Sequence, residues 1–350
     1  MMLLLNVHAA AAFSVATPMT TNNLFHDFDG HQTRYVKREP TTSTSTSTKQ
    51  PPVVLVHGFG GSAGQWRATI EDVAASGRTV YALDLLGFGM SPKPILPTKA
   101  GDGYSIELWS RQLQRFISEV VCEADGNDEA VIIGNSIGSL TCVCAASATS
   151  VTQQRYGGGK IAGVGLFNCA IGMNSKAEPL PTDPIAYAVF YNLIGRPLFI
   201  LIDLLLKSPL STLLFDKVRT KENVRQVLEN GVYENGARVD EELVDMITRP
   251  AEDDGALDTF INILTGDPGP RPEALVPRID PSIPIAVWWG PEDNVTPLIG
   301  VVGQFFKALP QERGSAEFTL LPGTGHCPFD DRPDLASPKL IEWLDRRWPA

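Results

Sequence analysis

Short, continuously apolar runs alternate with amphipathic stretches along most of this chain, and this alternation constrains the fold more than any other feature. Strands buried on both faces carry no polar alternation, and such strands are typical of a parallel sheet covered by helices on both sides. The sequence therefore predicts an α/β fold with a mostly parallel sheet. The predicted strands are Pro52 to Val56, Thr79 to Leu83, Ala130 to Ile133, Ile161 to Phe167, Ile283 to Trp289 and Glu317 to Leu321. The predicted helices are Gln65 to Ala75, Ile106 to Val121, Ile137 to Ala148, Val301 to Leu309 and Leu335 to Trp348.

A long segment with a mostly helical pattern, residues 172–280, separates the two halves of this alternation. A helical insertion between strands of an α/β sheet is expected to lie over one end of the sheet as a cap. We therefore predict a core made of residues 23–171 and 281–350, with residues 172–280 inserted as the cap.

One part of the predicted cap, Ile185 to Leu206, carries only two charged residues, Arg196 and Asp203. Most faces of its helices therefore need an apolar partner. Two partners stay open from the sequence: the sheet domain alone, or in addition an apolar ligand tail or a bilayer surface.

The first residues form an apolar stretch that ends in Ala10-Ala11-Ala12 before Phe13, a pattern typical of a cleavable leader. The junction resembles that of leaders that direct proteins to the plastids of algae. We expect residues 1–22 to be a leader and the protein to be plastid-located, with a cytoplasmic location as the alternative. Beyond the leader we find no uninterrupted run of about 18 uncharged apolar residues, so no membrane-spanning helix is expected.

A hairpin is predicted where the folded part begins, near Asn23, because two strand-like runs flank Asp29 and Gly30. The serine- and threonine-rich stretch 41–48 follows it. Such a composition cannot bury apolar surface, so we predict a solvated loop there.

The charge and cysteine content exclude several classes of function. A net charge of -11 with no basic stripe repels phosphate backbones, so nucleic acid is not expected as a partner. The five cysteines include no pair with two residues between them, so we expect neither a disulfide framework nor a zinc site. No cofactor or metal is predicted.

The motif with the clearest chemistry is Gly134-Asn135-Ser136-Ile137-Gly138, which follows a predicted strand directly and precedes a predicted helix. This is the context of a nucleophile elbow, in which a strained turn lifts a serine hydroxyl above the sheet. Glycines two residues to either side avoid collisions with the strand and the helix. We predict that Ser136 is the nucleophile.

A second glycine-rich loop, His57 to Gly60, follows the first parallel strand. Such a loop can turn a backbone N–H group toward the serine, so the N–H groups of Phe59 and Ile137 are predicted to form an oxyanion hole. We interpret His57 as a structural residue that binds loop backbone rather than transferring a proton.

The base is predicted by elimination, because His326 alone among the five histidines follows the serine in the chain. The order of the residues in this type of elbow enzyme is serine, acid, histidine. Asp293, after the preceding strand, is the predicted acid. The alternatives for the acid are Glu292, Asp267, Asp330 and Asp331, and Cys327 beside the histidine is an alternative nucleophile.

Six strings now carry a more specific resemblance: VVLVHGFGGSAGQW, VYALDLLGFGMSPKP, IIGNSIGS, LFNCAIGMNSK, GALDTFINILTGDPGPRP and GTGHCPFDDRPD. From about Phe25 to the C-terminus the chain resembles the α/β-hydrolases, in particular the pheophytinase, chlorophyll dephytylase and chlorophyllase branch of plants and algae. The resemblance implies an α/β-hydrolase fold with a helical cap. It also implies cleavage of the phytyl ester of chlorophyll or pheophytin and peripheral contact with the thylakoid membrane. Ser139 stands where pheophytinases have a second glycine, which favours the dephytylase or chlorophyllase type.

Two other functions stay open. A general lipid or acyl esterase would use the same residues on another ester. A non-enzymic ligand-binding protein on the same scaffold could keep them without turnover. Dehalogenases and epoxide hydrolases need a carboxylate at the elbow, so Ser136 excludes their chemistry.

Overall fold

An eight-stranded sheet lies at the centre of the computed structural model, which describes residues 23–41, 50–97, 103–147, 160–174 and 176–349. The predicted leader and residues 42–49, which include most of the serine- and threonine-rich stretch, lie outside the described residues. The strands are β1 Leu24–Phe28, β2 His31–Arg38, β3 Val53–Val56, β4 Val80–Leu83, β5 Glu129–Asn135, β6 Lys160–Phe167, β7 Ile285–Trp289 and β8 Ala316–Leu320.

The strand order is β1-β2-β4-β3-β5-β6-β7-β8. The pairs from β4 through β8 are all parallel, whereas β2 runs antiparallel to β1 and β4. The predicted hairpin is present, and its two turn residues, Asp29 and Gly30, have φ values of 53° and 82°. A two-residue turn with both φ values positive matches the right-handed twist of the paired strands. The prediction of a mostly parallel sheet is confirmed.

Helices cover both faces of this sheet. Their bounds are α1 Arg67–Ala75, α2 Ile106–Phe116, α3 Ile137–Ser147, α4 Ile185–Leu206, α5 Leu210–Val218, α6 Lys221–Val227, α7 Glu241–Thr248, α8 Ala256–Thr265, α9 Pro272–Leu275, α10 Val301–Glu312, α11 Pro328–Asp331 and α12 Pro333–Arg347. The second helix continues into a π-helical segment, Ile117–Ala124. The fourth helix contains a π-helical turn, Tyr191–Gly195.

The apolar core forms two layers, one on each side of the sheet. One layer includes Trp109 and Phe306, and the other includes Trp66, Phe329 and Trp343. The central strands β3 and β4 are buried along their whole length. Burial on both faces explains why these strands read as continuous apolar runs, since neither face meets water.

The segment between β6 and β7 contains the helices α4 to α9 and, among its described residues, no strand. The boundaries of the cap at residues 172 and 280 stay a prediction. Helix α4 has 22 residues, a mean hydropathy of 1.7 and 17% of its most apolar window buried, and by length and composition alone it could cross a membrane. This differs from the sequence-based expectation of no such helix. That expectation rests on an uninterrupted uncharged run, which Arg196 and Asp203 break, whereas the mean hydropathy of the helix stays high in spite of these two residues.

Of the two alternatives left open for Ile185 to Leu206, packing onto the sheet domain alone does not describe the structure. Most apolar side chains of α4 and several of α5 are exposed, and we call this set the cap face. It comprises Ile185, Val189, Phe190, Leu193, Ile194, Leu198, Ile200, Leu201, Ile202, Leu204, Leu205, Leu210, Leu213 and Val218. Apolar patches of this extent on a folded protein mark a surface that contacts another apolar phase or molecule.

Candidate active site

Ser136 lies in a tight turn between β5 and α3, where its φ of 56° is in the left-handed region. A non-glycine residue in this region costs on the order of 1 kcal/mol or more, so surrounding contacts must hold it. A Cβ atom on Gly134 would come within 2.3 Å of Gly138, and one on Gly138 would come within 2.4 Å of the carbonyl oxygens of Val56 and His57. Both glycines are therefore required by close backbone approach, as the sequence predicted.

Backbone hydrogen bonds fix this turn on the sheet. The N–H group of Ser136 donates to Phe167 O at 3.0 Å, and its carbonyl oxygen accepts from Leu140 and Ala170, both at 3.2 Å. The side chain is buried but retains 7% exposure. The fold thus presents the hydroxyl at the carboxyl end of the central strand, where reactive residues of open α/β sheets gather.

The predicted oxyanion loop lies directly against the serine. A Cβ atom on Gly58 would lie 3.1 Å from Ser136 Cβ and 2.9 Å from Asn135 Oδ1. Among the described residues, none accepts a hydrogen bond from the N–H group of Phe59 or Ile137. Two unengaged N–H groups beside a serine are the elements of an oxyanion hole, in which each donor is commonly worth about 3 kcal/mol in the transition state.

His57 is held by backbone on both sides of its ring. Its Nδ1 lies 2.7 Å from Gly58 O, and its Nε2 accepts from the N–H group of Leu85 at 3.0 Å. Only a neutral ring with the proton on Nδ1 satisfies both contacts. Complete burial lowers the pKa of His57 below its ordinary 6.5, against the opposing effect of Asp84. These contacts support the interpretation that this histidine is structural.

His326 and Asp293 meet through a buried hydrogen bond of 2.8 Å between Nδ1 and Oδ2. The carboxylate also accepts hydrogen bonds from the N–H groups of Val295 and Thr296, at 2.7 and 3.0 Å. Burial alone would raise the pKa of Asp293. The hydrogen bonds and charge of His326 and the hydrogen bonds of Thr296 outweigh it and hold the pKa at about 2.

An ionised Asp293 can only accept hydrogen bonds, so the proton of the His326 ring must lie on Nδ1. The other nitrogen, Nε2, is then free to accept a proton. This is the arrangement of a general base with an orienting carboxylate.

Ser136 joins this pair through its neighbour rather than through its own hydroxyl. The amide Nδ2 of Asn135 donates to the carbonyl oxygen of His326 at 2.9 Å. The hydroxyl of Ser136 makes no hydrogen bond to His326 in the described part of the chain. Catalytic hydrogen bonds often form only when substrate is present. The lack of a hydrogen bond between Ser136 and His326 is therefore compatible with His326 as the base.

Two residues at the acid were missed by the sequence analysis. Asn168 donates to Asp293 Oδ2 through its side-chain amide at 2.6 Å, and the Thr296 hydroxyl donates to the same oxygen at 2.5 Å. Asn168 also has a positive φ of 42°. Its position directly after β6, at the same sheet end as the serine, was the signal that could have identified it.

The other carboxylates have structural partners. Glu292 is exposed beside the backbone of Thr324, and Asp267 is an exposed turn residue whose Oδ1 accepts from Gly269. Asp330 is buried and paired with Arg67 and Arg238.

Asp331 accepts three backbone N–H groups, from Gly325, Glu234 and Asn235, at 2.7 to 3.0 Å. It connects the His326 loop to the cap. In the structure His326 forms its hydrogen bond with Asp293 and with none of these alternative carboxylates.

Cys327 is buried and its thiol packs beside the elbow. The sulfur lies 3.4 Å from Gln65 Nε2 and 3.6 Å from Asn135 Oδ1. Burial raises the pKa of the Cys327 thiol well above its ordinary value, and the charges of Asp330 and Asp293 add to this effect. A thiol held protonated in this way is a weak nucleophile.

An apolar cavity of about 140 Å³ lies between the oxyanion loop and the cap. Its wall includes Phe59, Phe88, Phe215, Val218 and Phe260. Ser136 does not line it, so the cavity reaches the site at the oxyanion loop. Among the described residues, no group of three or more histidine, cysteine or carboxylate side chains is placed to hold a metal ion.

Residues 53–336 match the sequence pattern of the alpha/beta hydrolase family. Shorter segments resemble curated proteins. The chain is 40% identical over 89 residues to 1-acylglycerol-3-phosphate O-acyltransferase ABHD5 of Sus scrofa, which is 25% of this chain and 23% of that protein. It is 34% identical over 118 residues to (Lyso)-N-acylphosphatidylethanolamine lipase of Homo sapiens, 31% of each chain. The matched segments thus span less than a third of these relatives' lengths.

Solved structures share the fold at low sequence identity. A bacterial membrane phospholipase A superimposes with a TM-score of 0.64 at 19% identity, over 93% of this chain and 86% of that one. The epoxide hydrolase CorEH gives a TM-score of 0.65 at 18% identity, over 93% and 99%. At this identity the likeness concerns the fold alone. Because the family match extends across both halves of the sheet, the chain belongs to the alpha/beta hydrolase family.

Proposed function

We propose that this chain is a serine carboxylic-ester hydrolase in which Ser136 is the nucleophile, His326 the base and Asp293 the residue that orients the base. The observation that carries the proposal is the buried Asp293–His326 pair beside a strained serine elbow. The pair fixes the imidazole tautomer whose free nitrogen can take the serine proton.

The reaction follows from these positions. Nε2 of His326 takes the Ser136 proton as the oxygen attacks the ester carbonyl, and the N–H groups of Phe59 and Ile137 stabilise the resulting oxyanion. The imidazolium then protonates the leaving alcohol, which leaves an acyl group on Ser136. Water, deprotonated by His326, attacks the acyl carbonyl and releases the acid and the free serine.

The substrate class we propose is a phytyl ester, of chlorophyll or of pheophytin. The support is the motif resemblance together with the apolar cavity at the oxyanion loop, since a phytyl tail is a long branched hydrocarbon. The exposed cap face supports a substrate that resides in a membrane. No cofactor is needed for this chemistry.

A second candidate is a lipid acyl ester. Two of the similar proteins are named as an acyltransferase of acylglycerol phosphate and as a lipase of N-acylphosphatidylethanolamine, which favours a lipid substrate. The apolar cavity would suit an acyl chain as well as a phytyl chain.

Incubation of the purified protein with chlorophyll a distinguishes these candidates. We expect chlorophyllide and phytol, resolved by chromatography, and no products from Ser136→Ala. Parallel incubations with pheophytin, a diacylglycerol and a short p-nitrophenyl ester rank the substrates. Turnover of the glyceride alone would replace the pigment assignment by the lipid one. An absence of turnover on every ester, with pigment bound, would favour a ligand-binding protein.

A plastid location belongs to the same proposal. It rests on the leader-like first residues alone. A fluorescent fusion of residues 1–350 in an algal cell should enter the plastid, and a fusion of residues 23–350 should stay in the cytoplasm. Equal distribution of both fusions would contradict the proposal.

A further inference from the structure

The cap face occupies two consecutive helices, α4 and α5, and its side chains are more exposed than apolar residues normally are. Leu193 is 72% exposed, Leu201 is 63% exposed and Leu213 is 69% exposed. In α4 only Tyr191, Gly195 and Leu206 are buried. A helix that is apolar on nearly every face and contacts protein along one face needs a second apolar environment.

Polar contacts along the protein-facing side of α4 indicate how the helix would be oriented at a membrane. Tyr187 and Tyr191 donate to the carbonyl oxygens of Ala177 and Lys176, and Asp203 forms an ion pair with the side chain of Lys176. These contacts attach both the first turn and the last turn of the helix to the rest of the protein. A spanning orientation would draw this ion pair and the attached chain into hydrocarbon, which is costly. The contacts therefore favour a helix lying in the plane of a membrane surface.

The charges around the cap face point to the kind of surface. Residues 185–219, which carry the cap face, contain four basic and two acidic residues, a local charge of +2 in a chain whose net charge is -11. Arg196, Lys207 and Lys217 are exposed and form no ion pair with any described residue. Asp203 and Asp216 are neutralised by Lys176 and Arg219. Exposed cations beside an exposed apolar face are complementary to an anionic lipid surface.

We propose that the cap face inserts into one leaflet of an anionic lipid bilayer and holds the protein there as a monotopic membrane protein. The apolar side chains of α4 and α5 enter the boundary between headgroups and acyl chains, and the unpaired cations contact the anionic headgroups. The bilayer, rather than a second copy of the chain, is the occupant, because a second copy would bring the same positive charges together.

The position of the cavity gives this docking a consequence for the site. Val218 belongs both to the cap face and to the wall of the cavity that reaches Phe59. An ester dissolved in the bilayer could therefore pass its tail from the leaflet to the oxyanion loop without crossing water. This consequence rests on the proposed function, whereas the docking itself does not.

Vesicle flotation tests the docking without hydrolysis when the Ser136→Ala protein is used. One set of vesicles contains phosphatidylcholine alone, and the other contains phosphatidylcholine with about 30% phosphatidylglycerol, an anionic lipid. We expect the protein to float with both, and several-fold more tightly with the anionic vesicles. Failure to float with anionic vesicles would overturn the proposal.

Apolar insertion is tested by Leu201→Asp and Leu213→Asp in the same background. Both side chains face outward, so the fold should be retained, and each carboxylate should lower the vesicle affinity about tenfold or more. The matched control is Phe25→Asp, on the edge strand β1 and half exposed, which should float like the parent. Circular dichroism melting of each variant verifies folding. Unchanged flotation of both folded leucine variants would contradict insertion by this face.

The charge argument is tested by the double variant Lys207→Glu and Lys217→Glu. Each cation near an anionic surface contributes about fivefold in affinity, so the preference for phosphatidylglycerol should disappear. The control double variant Lys160→Glu and Lys307→Glu changes the net charge equally at exposed sites on the sheet domain and should keep the preference. Equal losses in both double variants would show that total charge, and not this face, attracts the protein.

Two further readouts separate the alternatives. Light scattering that shows a dimer, converted to a monomer by Leu201→Asp without vesicle binding, would assign the face to a second copy and overturn the proposal. Hydrolysis of the short soluble ester by the wild-type protein without vesicles reports the proposed function by itself. Flotation without hydrolysis would support the docking and contradict the proposed esterase activity. Hydrolysis without flotation would contradict only the docking.

Discussion

The carboxylates of Asp293, Asp330 and Asp331 accept hydrogen bonds from different donors. Asp293 accepts five hydrogen bonds, three of them on the oxygen that faces His326. Asp330 instead neutralises two arginines, and Asp331 binds three backbone N–H groups. Individual side-chain partners therefore separate the predicted acid from its alternatives, and they define what each substitution should do.

Ser136→Ala should lower ester turnover by about 10⁴-fold or more while substrate still binds, because in the proposed mechanism the hydroxyl forms the acyl-enzyme, and it fills little volume. Steady-state kinetics and a melting curve measure the two effects. Cys327→Ser is the control at the neighbouring thiol and should keep most of the activity, since that thiol stays protonated. Substantial turnover in pure Ser136→Ala protein, or a collapse in folded Cys327→Ser protein, would move the nucleophile to the cysteine.

Asp293→Asn should lower kcat about 10⁴-fold with a small change in KM. An amide can donate to Nδ1 of His326, which would put the ring proton on the wrong nitrogen. Asp267→Asn, the same change at an exposed turn, should leave kcat within about twofold of the wild type. If the two variants exchanged these outcomes, the acid assignment would be wrong.

At the scale of elements, the loop that carries His326 is fastened to the cap. The N–H group of His326 donates to the carbonyl oxygen of Val232 at 2.7 Å, and Asp331 binds Gly325 on one side and Glu234 and Asn235 on the other. One buried carboxylate thus holds the histidine loop and the returning chain of the cap in a fixed arrangement.

Asp331→Asn should disturb both elements, because the amide nitrogen cannot accept a hydrogen bond from the backbone. Leaving a buried N–H group unpaired costs about 1 to 3 kcal/mol, so the melting temperature should fall. We also expect kcat to fall about tenfold at temperatures far below melting, with KM little changed, because His326 loses its position. Asp334→Asn, an exposed acid of the next helix, is the matched control. A lowered melting temperature with normal kcat would make Asp331 a purely structural residue.

At the scale of the whole molecule, two buried groups of the candidate site contribute to how stability responds to acid. His57 must be neutral in the fold, and burial lowers its pKa, so the stability it contributes is present above its ordinary 6.5 and is lost as pH falls below that value. Asp293 has a pKa of about 2, so its contribution is present above its ordinary 3.8 and is lost as pH falls toward 2.

The melting temperature should therefore be level near pH 8, decline below about pH 6.5 and decline further below about pH 4. Calorimetric melting across this range is the measurement. In Asp293→Asn the lower decline should become shallower while the upper one remains. A melting temperature that stays constant from pH 8 to pH 5 would contradict the role given to His57.

Local sequence patterns determined much of this protein. Glycine spacing around Ser136 and fully apolar runs are consequences of backbone collision and two-sided burial, so they identify the elbow and the central strands without reference to distant residues. The ends of elements were less well determined. The strand predicted as Ala130 to Ile133 extends over Glu129–Asn135, because pairing with β6 continues to the elbow.

Only the tertiary structure decided features that depend on residues far apart in the chain. The fold brings Asn168, Asp293 and His326 together from three different strand ends, and the chain order of these residues does not encode their distances. The same holds for the apolar cap helix, since its composition does not distinguish a helix buried against the sheet domain from one that lies on a bilayer surface. Its one-sided attachment by Tyr187, Tyr191 and Asp203 leaves the other faces exposed, and that exposure arises from packing and not from composition.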